Sequence, residues 1–168
     1  MVSSAYLVLL FDFHYWSRDR VLDAAAALSP EQYTKDLGNS FNSVRDTLVH
    51  LFSAERVWYE RWEGRAPSGH LSADRYPDLD TLRREWTAHE RKMRAFVGAL
   101  SDAGLDRVYE YKMLNGTQMR APFWQMATHI VNHGSYHRGQ VTTMLRQLGA
   151  APPTSMDLIA YYRENQEI

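Results

Sequence analysis

Apolar residues recur at three- and four-residue intervals in four long stretches of the chain, and turn-forming residues separate these stretches. The stretches span about residues 5–28, 43–64, 79–100 and 122–148. This interval places the apolar side chains on one face of an α-helix. The pattern therefore predicts four long helices, with a further short helix at about residues 157–163.

The boundaries of these helices carry their own signals. Ser29-Pro30 is expected to stop the first helix, and the Ser43 to Asp46 spacing predicts a capping box at the start of the second. Pro122 suits the first turn of the fourth helix.

The segment between the third and fourth helices has a different period. Tyr109, Tyr111 and Met113 alternate along the chain and precede Asn115-Gly116. Alternation is typical of a strand, and Asn-Gly is a strong signal for a tight turn. We expect a small hairpin or an extended crossover there.

Four amphipathic helices can bury their apolar faces only against one another, so the predicted fold class is all-α, a four-helix bundle. A chain of 168 residues fits one such domain, spanning 1–168. The connections between the helices are long enough to cross the bundle, and the periodicity does not fix the order in which the helices run.

Composition narrows the possible partners. The chain is 45% hydrophobic and 23% charged with a net charge of -1, which is typical of a globular protein. No run of Lys or Arg favours a nucleic acid or an anionic membrane, so we expect neither as a partner. The first residues lack a basic segment and a cleavage site, and no stretch is long enough to span a bilayer, which favours a cytoplasmic location.

The absence of cysteine restricts the possible chemistry. Without cysteine the chain has no disulfide, no thiolate metal ligand and no sulfur nucleophile of its own. Any thiol chemistry must therefore use a small thiol supplied from outside.

His133 and His137 are the main candidates for chemistry. They lie four residues apart on the predicted apolar stripe of the fourth helix, so both imidazoles can face one ion. A pair of buried imidazoles without partners would be costly, and a metal ion satisfies both. A third ligand must come from another helix, and periodicity leaves His14, His50 and His89 open.

The residues around this pair have several possible roles. His129 is expected at the rim of the site, and His70, in a polar loop, is assigned no role. Asp46 lies one turn before His50, where it either orients that ring or only caps the helix. Gly134 stands where zinc peptidases of the His-Glu-x-x-His type carry their glutamate, which argues against a peptidase.

Three further residues beside the histidines are candidates for catalysis or substrate binding. Tyr136, Arg138 and Gln140 are placed to bind a polar or anionic group. Arg138 has two equal alternatives, a surface cation or a partner for a carboxylate inside the bundle.

Longer motifs resemble the DinB/YfiT-like superfamily of metalloenzymes. The His133 to Gln140 segment, with Arg138-Gly139-Gln140 after the second histidine, is similar to that family's last helix. The segment from Thr47 through His50 to Trp58 resembles its second helix, and residues 16–31 resemble its first.

The resemblance implies an up-down-down-up bundle, often a homodimer, with His50, His133 and His137 as ligands of one divalent transition metal. The nitrogen ligands favour zinc or nickel, with iron or manganese as further alternatives. The family includes transferases that join low-molecular-weight thiols to electrophiles and a thiol-dependent isomerase. Other members have no assigned activity, and some were first noticed as damage-inducible.

The leading hypothesis is therefore a metal-dependent transferase that activates a low-molecular-weight thiol for attack on a small electrophilic substrate. One alternative is a metal-dependent hydrolase of a small molecule. Another is a non-catalytic stress-response bundle in which the metal only joins two helices.

Overall fold

The structure, a computed structural model, describes residues 2–165 and is mostly helical. The elements are α1 (Ser4–Ala25), α2 (Pro30–Thr34), α3 (Val44–Trp62), a 3-10 turn (Ala73–Arg75), α4 (Leu79–Gly98), α5 (Asp102–Leu105), β1 (Val108–Lys112), β2 (Gln118–Pro122), α6 (Phe123–Gln147) and α7 (Leu158–Asn165). The four predicted long helices correspond to α1, α3, α4 and α6, and α7 corresponds to the predicted short helix.

Side-chain caps set the start of several helices. The Ser43 hydroxyl accepts a hydrogen bond from the backbone N–H of Asp46 at 3.1 Å, as the capping-box prediction requires. The reciprocal half of that box is not formed, because the Asp46 carboxylate instead accepts from Nε of Arg45 at 3.1 Å. The Asp46 side chain therefore neither completes the capping box nor forms a hydrogen bond with His50 in the described chain, and it pairs with Arg45 instead.

Ser29-Pro30 does more than stop the first helix. Ser29 and Gln32 form a complete capping box that starts the short helix α2, with Pro30 in its first turn. Sequence periodicity missed α2 because five residues are too few to show a repeat.

The long helices pack through two groups of buried side chains. α1 and α3 each contact both α4 and α6. One apolar core cluster includes Phe11, Trp62, Met93 and Phe123. The other includes Leu22, Leu48, Trp86 and Met144.

The segment before α6 forms the predicted hairpin. β1 and β2 are antiparallel, with Tyr111 opposite Met119 and a turn at Gly116, whose φ is 87°. The Tyr111 ring packs edge-on against Trp58, with the ring centroids 5.2 Å apart. The hairpin therefore lies over the C-terminal half of α3.

No helix among the described residues is long and apolar enough to cross a membrane.

Candidate metal centre

The buried face of α6 is centred differently from the sequence prediction. Gly134 is buried and the Arg138 side chain is only 2% exposed, whereas His133 is half-buried. His133 therefore lies at the edge of the buried face, where it lines a cavity, whereas His137, which is 7% exposed, lies within that face.

The structure brings together three histidines that are positioned to bind a metal ion. His50 from α3 meets His133 and His137 from α6, and one nitrogen from each ring lies within 4.8 Å of the other two. Nε2 of His50 and Nε2 of His133 are 3.1 Å apart. Two nitrogens bound to one zinc ion at tetrahedral angles would lie about 3.3 Å apart, so the spacing fits a shared ion.

Neighbouring side chains fix how two of these rings point. The Nδ1 of His137 is 2.7 Å from Oε1 of Gln140, an acceptor, so Nδ1 carries the proton and Nε2 presents its lone pair. Phe41 stacks on the His50 ring with a centroid separation of 3.9 Å and an interplanar angle of 21°. Both contacts hold a ring in place without using the nitrogen that a metal needs.

Burial favours the uncharged form of the His50 and His133 rings. Burial, together with the nearby His137, lowers the pKa of His50 to about 4. The same two causes, with a further effect from His50, lower the pKa of His133 to about 3. Neutral imidazoles at neutral pH have lone pairs available for a metal ion.

Gly134 allows α6 to approach α1 closely. A Cβ at this position would lie 2.5 Å from Cε1 of His14 and 2.6 Å from a terminal nitrogen of Arg138. No larger residue fits there without a shift of its neighbours. Gly134, whose presence argues against a peptidase, thus has a packing role next to His133.

His14 belongs to a buried polar network behind the metal centre. Its Nε2 donates to a carboxylate oxygen of Glu55 at 2.8 Å, and its Nδ1 lies 3.3 Å from a guanidinium nitrogen of Arg138. The other oxygen of Glu55 accepts from the Trp86 indole at 2.9 Å and from the Tyr15 hydroxyl at 3.2 Å.

The buried network contains one cation, Arg138, and one anion, Glu55, with the uncharged His14 ring between them. Burial lowers the pKa of His14 and so favours its uncharged form. For Glu55, burial works in the opposite direction, but His14 and the hydrogen bonds outweigh it and lower the pKa, which keeps the carboxylate ionised. The network therefore places the Arg138 cation and the Glu55 anion on the two sides of His14.

A cavity of about 430 Å³ opens beside the histidines. One face of α3 forms its floor, and the hairpin turn and the 64–78 loop contribute to its walls. It is lined by His50, Ala54, Val57, Trp58, Arg61, His70, Met113, Leu114, Asn115, His129 and His133.

The other candidate residues take different places. Tyr136 is 64% exposed, and its ring packs edge-on against His137 with centroids 5.0 Å apart. Arg138 is not a surface cation, and no carboxylate among residues 2–165 pairs with it directly. Its buried side chain contacts His14 in the core and Ser135 on its own helix. Gln140 contacts His137 directly.

The remaining histidines lie outside the three-residue cluster. His89 is buried on α4, where its ring packs against Phe52 and Tyr59. His129 lies at the rim, as the sequence suggested. His70, to which sequence analysis gave no role, also lines the cavity, and its Nδ1 forms a hydrogen bond with the Ser53 hydroxyl at 3.0 Å.

Sequence reasoning missed Phe41, His70 and Arg61 as parts of this region. Phe41 and His70 come from irregular segments, which show no periodicity that could indicate their direction. Arg61 continues the His50 face of α3 at positions 54, 57, 58 and 61, so the helical period could have found it.

Comparisons with known proteins identify the family of the chain. The chain matches the DinB family over residues 1–167. It is 25% identical over 175 residues to Protein DinB of Bacillus subtilis (strain 168), a match that covers 98% of this chain and 99% of that protein.

The fold is also similar to a solved structure. A DinB-like protein from Bacillus cereus ATCC 10987 superposes with a TM-score of 0.57 at 19% identity, covering 84% of this chain and 91% of that one. With the family match over nearly every residue, these likenesses establish that the chain belongs to the DinB family.

Proposed function

We propose that the protein is a metal-dependent transferase that joins a low-molecular-weight thiol to a small electrophile. The observation that carries the proposal is the convergence of His50, His133 and His137, within 4.8 Å of one another, beside a cavity in a chain without cysteine. A thiol reaction in such a chain needs a thiol from solution, and the cavity has room for small molecules.

The ligand set suits an ion that takes part in chemistry. Three neutral imidazoles leave a divalent ion its full charge and at least one open position. Bound there, zinc or nickel would lower the pKa of a thiol and hold the thiolate as a nucleophile. In the reaction, the thiolate sulfur forms a bond to carbon, the leaving group departs with the bonding electrons, and the thiol proton goes to solvent.

Neighbouring side chains hold the histidine rings and the helices that carry them in position. Gln140 and Phe41 fix the His137 and His50 rings, and the buried network of His14, Glu55 and Arg138 holds α6 in register with α1 and α3. Tyr136 is exposed next to His137, where its hydroxyl can donate a hydrogen bond to a departing group. Arg138, which is buried, supports the site from behind.

The proposal extends to the winding of the bundle. An up-down-down-up order is supported by the two core clusters, because the start of α1 shares one cluster with the ends of α3 and α4 and the start of α6. The end of α1 shares the other cluster with the starts of α3 and α4 and the end of α6. A homodimer and a cytoplasmic location, where small thiols are kept reduced, belong to the same proposal.

Metal binding is the first test. We expect one zinc or nickel ion per wild-type chain by elemental analysis, and loss of that ion in His50→Gln, His133→Gln and His137→Gln. His89→Gln removes a histidine elsewhere in the bundle and should retain the ion. Equal metal content in all four variants would remove the basis of the proposal.

Thiol transfer is the second test. Metal-loaded protein is assayed with a panel of low-molecular-weight thiols and a chromogenic electrophile, and thiol consumption is followed. A metal-dependent rate that falls at least about tenfold in His137→Gln supports the proposal. A rate that is the same in that variant contradicts it.

The same assays separate the two alternatives. Turnover of an ester or amide without added thiol would indicate a hydrolase, in which bound water replaces the thiol. A sharp drop in thermal stability on metal removal, with no ligand competing for the open position, would indicate a metal that only joins α3 and α6.

A further inference from the structure

From the surroundings of Arg61 we infer that the cavity binds an elongated ligand with a carboxylate at its far end, held by this arginine. The reacting end of the ligand then lies at the histidine cluster. The inference names a substrate class for the proposed function, but the carboxylate site itself rests on Arg61 and its surroundings.

Arg61 is a buried cation without an anion. Its side chain is 7% exposed, it lines the cavity, and its Nε has no hydrogen-bond partner among the described residues. No carboxylate within the described part of the chain lies within ion-pair distance of it. A buried guanidinium in this condition is costly, and a ligand anion relieves that cost.

Two aromatic rings hold the guanidinium in position. Its central carbon lies 4.7 Å from the centroid of the Trp58 ring and 5.2 Å from that of the Tyr111 ring. Such contacts use none of the N–H groups as hydrogen-bond donors. The N–H groups are the part of arginine that binds a carboxylate with two parallel hydrogen bonds.

The cavity lining contains no residue that competes for this cation. None of its lining residues is Asp or Glu, so a metal ion at one end and Arg61 at the other would make the whole cavity electropositive. Between these ends, the lining includes Ala54, Val57, Met113 and Leu114, which suit an apolar ligand body.

The spacing of the two ends sets the ligand length. His50 and Arg61 are eleven residues apart on one face of α3, or about 16 Å along the helix axis at 1.5 Å per residue. Because both side chains extend into the cavity, a ligand backbone on the order of 10 Å can connect their polar ends. A very short thiol acid cannot reach both.

A matched pair of thiols tests the inference on protein loaded with cobalt(II). Mercaptooctanoate and mercaptooctanol differ only at the far end, and each thiolate bound to cobalt gives a charge-transfer absorption band that reports binding directly. We expect wild-type protein to bind mercaptooctanoate about tenfold more tightly or better, the range of a charge-assisted hydrogen bond. The short pair thioglycolate and mercaptoethanol should show no preference that depends on Arg61.

Variants assign the preference to one residue. Arg61→Met keeps the apolar stem and should abolish the preference for mercaptooctanoate, whereas Arg61→Lys, which keeps the charge, should retain part of it. Arg56→Met is the matched control, because Arg56 lies on another face of α3 and pairs with Glu60 at 3.1 Å. Absence of any preference in the wild type, or its persistence in Arg61→Met, would overturn the inference.

A pair of ligands without sulfur, octanoate and octanol, tests the Arg61 site independently of the proposed function. If neither long thiol produces the cobalt band, the thiol role fails, and calorimetry with octanoate and octanol then decides the Arg61 site by itself. Octanoate binding that is stronger than octanol binding and depends on Arg61 supports the site. Equal binding of the two overturns it.

Discussion

Replacement of Gly134 by alanine tests whether the approach of α6 to α1 positions the candidate metal centre. The new methyl group would lie 2.5 Å from Cε1 of His14, 2.8 Å from its Nδ1 and 2.6 Å from a terminal nitrogen of Arg138. Neither neighbour can move freely, because Glu55 holds His14 and Ser135 holds Arg138. The helix itself must therefore shift or the hydrogen bonds must lengthen.

The expected size follows from two opposing effects. Alanine in place of glycine inside a helix stabilises the folded state by up to about 1 kcal/mol. Extra volume in a packed core costs about 1–3 kcal/mol. Gly139→Ala is a matched control on the same helix, since nothing lies within 4 Å of its added methyl group and only the favourable effect applies. The free energies of unfolding of the two variants should thus differ by about 1–3 kcal/mol.

Urea unfolding followed by far-UV circular dichroism, with EDTA present, measures that difference without a contribution from metal. A metal titration of the same variants should show weaker binding in Gly134→Ala alone, because His133 precedes the altered residue. If the two variants unfold with equal free energies and bind metal equally, the close packing of His14 and Arg138 against Gly134 does not position the site.

Two further predictions concern the three clustered histidines. Gln140→Leu removes the hydrogen bond to Nδ1 of His137 and should weaken metal binding by about 10- to 100-fold, measured by competition with a chromogenic chelator. Gln125→Leu, on the exposed face of the same helix, is the control and should leave the affinity unchanged. Equal metal affinities in the two variants would exclude an orienting role for Gln140. In the metal-free protein, the unfolded chain takes up protons at His50 and His133 below their ordinary pKa of 6.5, while the folded chain resists until about pH 4 and about pH 3. The free energy of unfolding should therefore fall as the pH falls from about 6.5 to 4. In the double variant His50→Gln/His133→Gln it should fall less steeply. The same pH dependence in the wild type and the double variant would contradict the lowered pKa values.

Local signals were sufficient to predict most of the helical architecture. Ser43 and Asp78 cap their helices through their own side chains, and Gly149 adopts a positive φ just after α6. These signals act within a few residues, so the sequence displays them directly. Asn115-Gly116 located the hairpin for the same reason.

Long-range contacts explain what the sequence could not predict. Apolar periodicity placed both His133 and His137 in the middle of the buried face, because an arginine is not expected there. In the structure only His137 is buried. Arg138 occupies that place only because Glu55, distant in the chain, supplies the opposite charge across His14. The choice of His50 likewise depended on family resemblance, since His14 and His89 lie on apolar stripes and are more deeply buried than His50.

The cavity is assembled from two kinds of backbone. Regular helices carry the three converging histidines, whereas the hairpin turn and the irregular segment containing His70 supply much of the remaining lining. Substitutions or length changes in those connecting segments can alter which molecules enter while the helical framework stays intact. Under the proposed function, changes in these segments would alter which compounds the protein accepts while the three imidazoles stay in place, so the imidazoles alone would not identify the substrate.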